Sequence, residues 1–107
     1  MSRLADLYVI YLPLRYNDGR DIETEKLLVV RMELLERFRG ITLLQETNPL
    51  QGLWQHQDLQ YSDEIITVTV LDFTQESQAF FTSYKEVLKQ RFEQIELLLY
   101  YYTVTVI

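Results

Sequence analysis

An α+β sandwich, with a four-stranded antiparallel sheet covered on one face by two helices, is the fold class this sequence predicts, and two observations predict it. The spacing of apolar residues changes along the chain in the order strand, helix, strand, strand, helix, strand. In addition, "ERFRGITLL" at 36–44 and "QRFEQIELL" at 90–98 align without a gap, 54 residues apart, about half of the 107-residue chain. In each copy an Arg-Phe pair closes a helix and an isoleucine three residues after the Phe opens the next strand. A fold made of two pseudo-symmetric halves places such a match at that distance.

The elements follow in order. "LYVIYLPL" (7–14) is rich in β-branched and aromatic residues, is closed by Pro13 and leads into the turn signal "NDG", so it is strand one. From Asp21 the pattern becomes helical: Asp21 caps, Glu23 and Glu25 sit in the first turn, and Leu27, Val30, Leu34 and Phe38 recur until Gly40 stops the helix. "ITLLQET" (41–47) is strand two, interrupted by "NPLQG", where Pro49 cannot donate to a ladder and Asn48 and Gly52 suit a bulge or turn; "LWQH" is where it can resume. "HQDLQYSD" is a polar connection. "EIITVTVLDF" (64–73) alternates as strand three. Thr74 caps helix two, whose stripe is Phe80, Tyr84, Val87 and Leu88 as far as Phe92, and "ELLLYYYTVTVI" (96–107) is strand four.

This β-α-β-β-α-β order is the split βαβ arrangement of ferredoxin-like domains, with sheet order 4-1-3-2, right-handed crossovers and one domain over residues 1–107. Within it, Phe38, Gly40 and Thr42, then Gly52 and Trp54, then Arg91, Phe92 and Gln94 form a Phe-x-Gly-x-Thr, Gly-x-Trp, Arg-Phe-x-Gln pattern. The chain resembles, through these residues, a group of small bacterial proteins of unknown function. The resemblance implies a ferredoxin-like fold and little more, since the group has no established activity; Glu93 stands where relatives often carry glycine.

Composition excludes several function classes. With no cysteine there is no disulfide framework, thiol nucleophile or Cys-based zinc site, and one histidine excludes His-rich metal clusters. A net charge of −6 opposes a phosphate backbone or an anionic membrane surface, so neither nucleic acid nor membrane is an expected partner. An RRM-like sheet is excluded also by the missing glycine-aromatic signature. "MSRLADLYVIYLPLRY" is broken by Asp6, Pro13 and Arg15, which fits neither a signal peptide nor a spanning helix, and the expected location is the cytoplasm. No cofactor is expected.

Several side chains are of types that can carry chemistry. His56 beside Asp58 in "WQHQD" has the form of a base next to a carboxylate, but a lone histidine in a glutamine-rich connection reads as solvated. Asp58, Asp63 and Glu64 are an acidic group whose spacing matches no cation loop. Trp54 reads as core or rim before pocket. Arg31 falls within the Leu27, Val30, Leu34, Phe38 stripe and Arg91 within the Phe80, Tyr84, Val87, Leu88 stripe, so both are expected to be covered, with stems on apolar surface or paired with Glu46, Asp72 or a tyrosine hydroxyl.

Alternation assigns sheet faces. Ile66, Val68 and Val70 belong under the helices, together with Tyr100, Tyr102, Val104 and Val106. The open face then carries Ile65, Thr67, Thr69, Leu71, Leu99, Tyr101, Thr103 and Thr105, an uncharged surface, beside an edge strand that has neither charge nor proline. Both features point to a homodimer formed through the sheet face or the strand-four edge, and to a non-enzymatic interaction or scaffold module. The alternative is a small-molecule binding protein or cofactor-independent enzyme of the dimeric α+β barrel type, with a pocket lined by Trp54, Tyr8, Tyr11 and Tyr101, its ligand unknown.

Overall fold

The computed structural model describes residues 1–47 and 64–107. Strands β1 (Arg3–Pro13), β2 (Ile41–Thr47), β3 (Glu64–Asp72) and β4 (Leu99–Val106) and helices α1 (Thr24–Arg37) and α2 (Gln78–Arg91) follow one another as β1-α1-β2-β3-α2-β4. All strand pairs are antiparallel and the sheet order is β2-β3-β1-β4, which is 4-1-3-2 counted from the other edge. Trp54, with Asn48, Pro49, Gly52, His56, Asp58 and Asp63, lies outside the described residues, as does any resumption of the second strand at "LWQH".

One apolar cluster joins Tyr8, Ile10 and Leu12 of β1 and Val68 and Val70 of β3 to Val30 and Leu34 of α1 and to Phe81, Tyr84 and Leu88 of α2. These strand residues are mutual neighbours on alternate positions, Tyr8 opposite Val70 and Ile10 opposite Val68, so both helices cover the same face. Phe81 is the centre of this layer: its ring stacks on Tyr8 at 3.9 Å and on Phe38 at 5.4 Å.

The helix boundaries differ from the sequence expectation at three ends. α1 starts at Thr24 after Glu23 in extended conformation, because Asp21 is held in a bridge to Arg15 and is not the cap. It ends when Phe38 turns extended (φ −126°, ψ 146°) to bury its ring, two residues before Gly40. α2 starts at Gln78 with Ser77 at its N-cap; Thr74 instead belongs to a turn in which its N–H and hydroxyl both donate to Asp72 Oδ1. The buried stripe of α2 is accordingly Phe81, Tyr84, Leu88 and Phe92, with Phe80 partly buried beneath the Arg37 guanidinium and Val87 exposed.

β1 begins four residues earlier than expected. Arg3 and Asp6 find partners there: Arg3 lies 4.1 Å over the Phe73 ring, and Asp6 accepts from Thr103. The two Arg-Phe helix ends are equivalent in part. Phe38 N–H donates to Leu34 and Phe92 N–H to Leu88, and all four residues are buried. Beyond that the halves diverge: Ile41 opens β2, whereas Ile95 is 72% exposed and β4 opens at Leu99.

Candidate functional site

Strand β4 is the first candidate, because it is a sheet edge of eight residues without charge or proline. Its phase is the reverse of the sequence expectation. Leu7 lies opposite Tyr102, Val9 opposite Tyr100 and Ala5 opposite Val104, so Tyr100, Tyr102, Val104 and Val106 share the helix-free face. Tyr101, Thr103 and Thr105, opposite Tyr8, Asp6 and Leu4, share the helix side. Tyr101 stacks on Tyr8 at 4.8 Å and its hydroxyl donates to Gln78 of α2.

The β3 assignment matches the register: Ile66, Val68 and Val70 lie under the helices, and Ile65, Thr67, Thr69 and Leu71 face away. The helix-free face is nevertheless not bare across its width. Val9, Ile65 and Thr67, on the two inner strands, are buried on it. Its exposed apolar side chains lie on the two edge strands, Tyr100 and Tyr102 on β4 and Leu44 on β2. Tyr100 meets Tyr11 edge-on and stacks with Tyr102. Tyr8 and Tyr11 therefore lie on opposite faces of the sheet and do not line one pocket with Tyr101; the Tyr8 ring is instead packed between Phe81 and Tyr101.

The two arginines separate. The Arg91 side chain is 20% exposed and makes a bidentate pair with Glu33 of α1, at 2.5 and 3.0 Å; Glu33 Oε1 also accepts from the Tyr84 hydroxyl at 3.0 Å. The Arg91 guanidinium holds the Glu33 carboxyl below the usual range, with the Tyr84 hydroxyl adding to the effect. Tyr84, buried and facing that carboxylate, is pushed well above the normal phenol range. Arg31, by contrast, is exposed. On a wheel of about 100° per residue it lies on one side of Leu27 while the buried sector, centred on Val30 and Leu34, lies on the other. This corner is a clamp between the helices; Lys26 extends it by donating to the Arg91 carbonyl at 2.7 Å and to the Tyr16 hydroxyl, which in turn donates to Glu23.

A polar group missed by the sequence reading lies beneath the start of α2. Asp6 and Asp72 are register partners on β1 and β3, and both are buried, at 5% and 2% exposure. Thr103 donates to Asp6 Oδ1 at 2.9 Å and the Gln75 amide does so at 3.4 Å. Burial alone would raise Asp72, but donors from Ser77, Thr74 and the Glu76 backbone outweigh it and the carboxyl sits below its ordinary value. Burial, with the charges of Asp6, Tyr101 and Asp72 nearby, pushes the Tyr8 hydroxyl up to about 12. The only sequence signal for this group was that Asp6 interrupts an apolar strand.

Among the described residues no group of three or more His, Cys, Asp or Glu is gathered as a metal site, and no helix is long and apolar enough to cross a membrane. Glu64, from the predicted acidic group, accepts from Gln45 at 3.3 Å. No family model, curated protein or solved structure matches this chain.

Proposed function

We propose that this chain is a ferredoxin-like interaction module, akin to the small bacterial group its motifs resemble, that works as a homodimer joined through the outer edge of β4. The observation that supports the reading is an exposed eight-residue edge strand with no charge, proline or glycine in it. Such an edge presents a row of unpaired backbone groups and is the form natural proteins cover. A second copy covers it with symmetry, since one self-complementary strand serves both subunits. Edge pairing is favoured over face-to-face stacking because the helix-free face is buried at its centre and exposes apolar side chains along its margins. The module's function on this reading is assembly, with net charge −6 keeping the dimer soluble.

Sedimentation at micromolar concentration tests the reading. The wild type is expected at twice the chain mass, and Tyr102→Lys with Val104→Lys, placing charges on the edge strand, is expected at the single-chain mass with unchanged far-UV circular dichroism. A wild type that remains monomeric across that range overturns it.

A further inference from the structure

Helix α1 carries two apolar stripes, and the core takes up only one of them. Val30 and Leu34 are fully buried, while Leu28, Met32 and Leu35 on the outward side are 50%, 61% and 44% exposed. Their spacing of four and then three residues places them within about 60° of one another on a wheel of about 100° per residue, as neighbours along one line of the helix surface. Val29, also exposed, lies on one margin of that line. An exposed apolar stripe of this kind marks an interaction surface.

The charges beside the stripe say which partner fits. Arg31 and Glu36 are both exposed, and they lie on opposite sides of the stripe, each about 70° from its centre. Among the described residues neither takes part in an ion pair. In coiled-coil positions Leu28, Met32 and Leu35 are d, a and d, Arg31 is g and Glu36 is the e that follows. When two such helices run parallel, the g residue of one faces the e residue five positions further along the other. Arg31 then meets the Glu36 of a second copy, and twofold symmetry makes the pair twice. Run antiparallel, the same helices set like flank against like flank, Arg31 toward Arg31. The charge pattern is therefore self-complementary in one orientation only. Glu25, at the preceding a position in the first turn, ends the seam at Leu28.

We propose that α1 is a second self-association surface, on which two copies pack their helices in parallel, with Leu28, Met32 and Leu35 forming a short seam and Arg31–Glu36 pairs closing it on both sides. The fold already holds the helix, so the contact does not have to stabilise it. The seam runs only from Leu28 to Leu35, little more than one heptad, which puts it with the weak interfaces that fill at high local concentration. α1 packs against β2, the edge strand opposite β4. Self-complementary surfaces at two places on one chain link dimers into larger assemblies, closed or open according to how their axes meet. The inference does not rest on the β4 contact, because the α1 seam joins two monomers as well as two dimers.

The experiment is sedimentation equilibrium of the full chain from micromolar to millimolar concentration at physiological ionic strength. Running the wild type beside Tyr102→Lys with Val104→Lys separates the two surfaces, and both proteins are expected at least to double in mass as concentration rises. Arg31→Glu and Glu36→Arg are each expected to weaken that step about tenfold, and the two together to restore it. The two single changes shift net charge in opposite directions, so repulsion between whole chains cannot weaken both, and all four side chains compared are exposed ones that leave the core intact. Because the chain has no cysteine, Leu28→Cys and Leu35→Cys report orientation: on air oxidation each is expected to form a disulfide with its own twin, as parallel packing requires. A mass that never rises, a step that survives Arg31→Glu, or Leu28→Cys and Leu35→Cys chains that cross-link only to each other when mixed overturns the proposal; the stripe then does not serve parallel self-association and is left to an unlike partner or another packing.

Discussion

The end of α2 offers a test in which sequence and backbone geometry disagree. Gln94 N–H donates to the Lys89 carbonyl at 2.9 Å and Glu93 N–H to that of Gln90 at 3.3 Å, the paired bonds of a Schellman motif. Its left-handed position is Glu93, with φ +53°, where glycine is the usual residue. An L side chain in that region costs about 1–2 kcal/mol, and Gly gives back about 0.5–1 kcal/mol through the entropy of the unfolded chain. The Arg20–Glu93 contact, 3.9 Å between side chains about 60% exposed, adds little on the other side. Glu93→Gly is thus expected to stabilise the fold by about 0.5–1 kcal/mol, seen as a rise in Tm of about 2–6 °C by calorimetry. Glu93→Ala is the control, because it removes the same charge near the negative end of the helix but keeps the strained backbone. If alanine stabilises as much as glycine, charge and not φ is the cause and the reasoning fails.

Other expectations follow from the same structure. Arg91→Met should destabilise by about 1–2 kcal/mol in urea titration through loss of the bidentate pair, whereas Arg31→Met should stay within about 0.5 kcal/mol; equal effects would contradict the separation of the two arginines. Because the folded-state pKa of Glu33 is depressed, its contribution is present above about pH 4.3 and is lost as pH falls through the lower folded value, so Glu33→Gln should flatten the acid limb of a stability-against-pH curve. Tyr8 and Tyr84 have raised values, so folding favours their neutral forms: stability should fall as pH climbs above about 10, and both tyrosines should ionise late in an absorbance titration. Leu34→Ala should cost about 2–5 kcal/mol and Val87→Ala much less, which denaturant midpoints would show.

The architecture was legible because two periods, near 2 and near 3.6, leave different marks, and Val30, Leu34, Val68 and Val70 carry them without interference. The helix starts were less legible. Asp21 and Thr74 are chemically good caps, but each has a stronger local engagement, Asp21 in the bridge to Arg15 and Thr74 in the Asp72 turn. Arg31 was misplaced for a related reason: Leu28, Met32 and Leu35 form a second apolar stripe that stays exposed, so the boundary of the buried sector cannot be drawn from hydrophobicity alone.

Strand β4 shows most clearly what pattern reasoning lacks. Counting apolar side chains puts Tyr100, Tyr102, Val104 and Val106 beneath the helices, since the alternate set contains two threonines. The register does the opposite, and the partner strand supplies the reason. On its helix side β1 presents Tyr8 and Asp6, an aromatic ring and a buried carboxylate, directly opposite Tyr101 and Thr103. Tyr101 stacks on the ring and Thr103 donates to the carboxylate. Reversing the phase would set Tyr102 and Val104 around Asp6 and leave its Oδ1 without the Thr103 donor; an unsatisfied buried charged group costs more than moving some apolar area to an edge strand saves. The buried polar group thus selects the phase of β4, and the phase turns Tyr100 and Tyr102 toward the helix-free side of the exposed edge. Asp6→Asn retains an acceptor for Thr103 and should keep the phase, while Asp6→Leu should loosen it, visible as lost nuclear Overhauser contacts between Tyr8 and Tyr101. Contacts unchanged in Asp6→Leu would mean that the strand phase is set elsewhere.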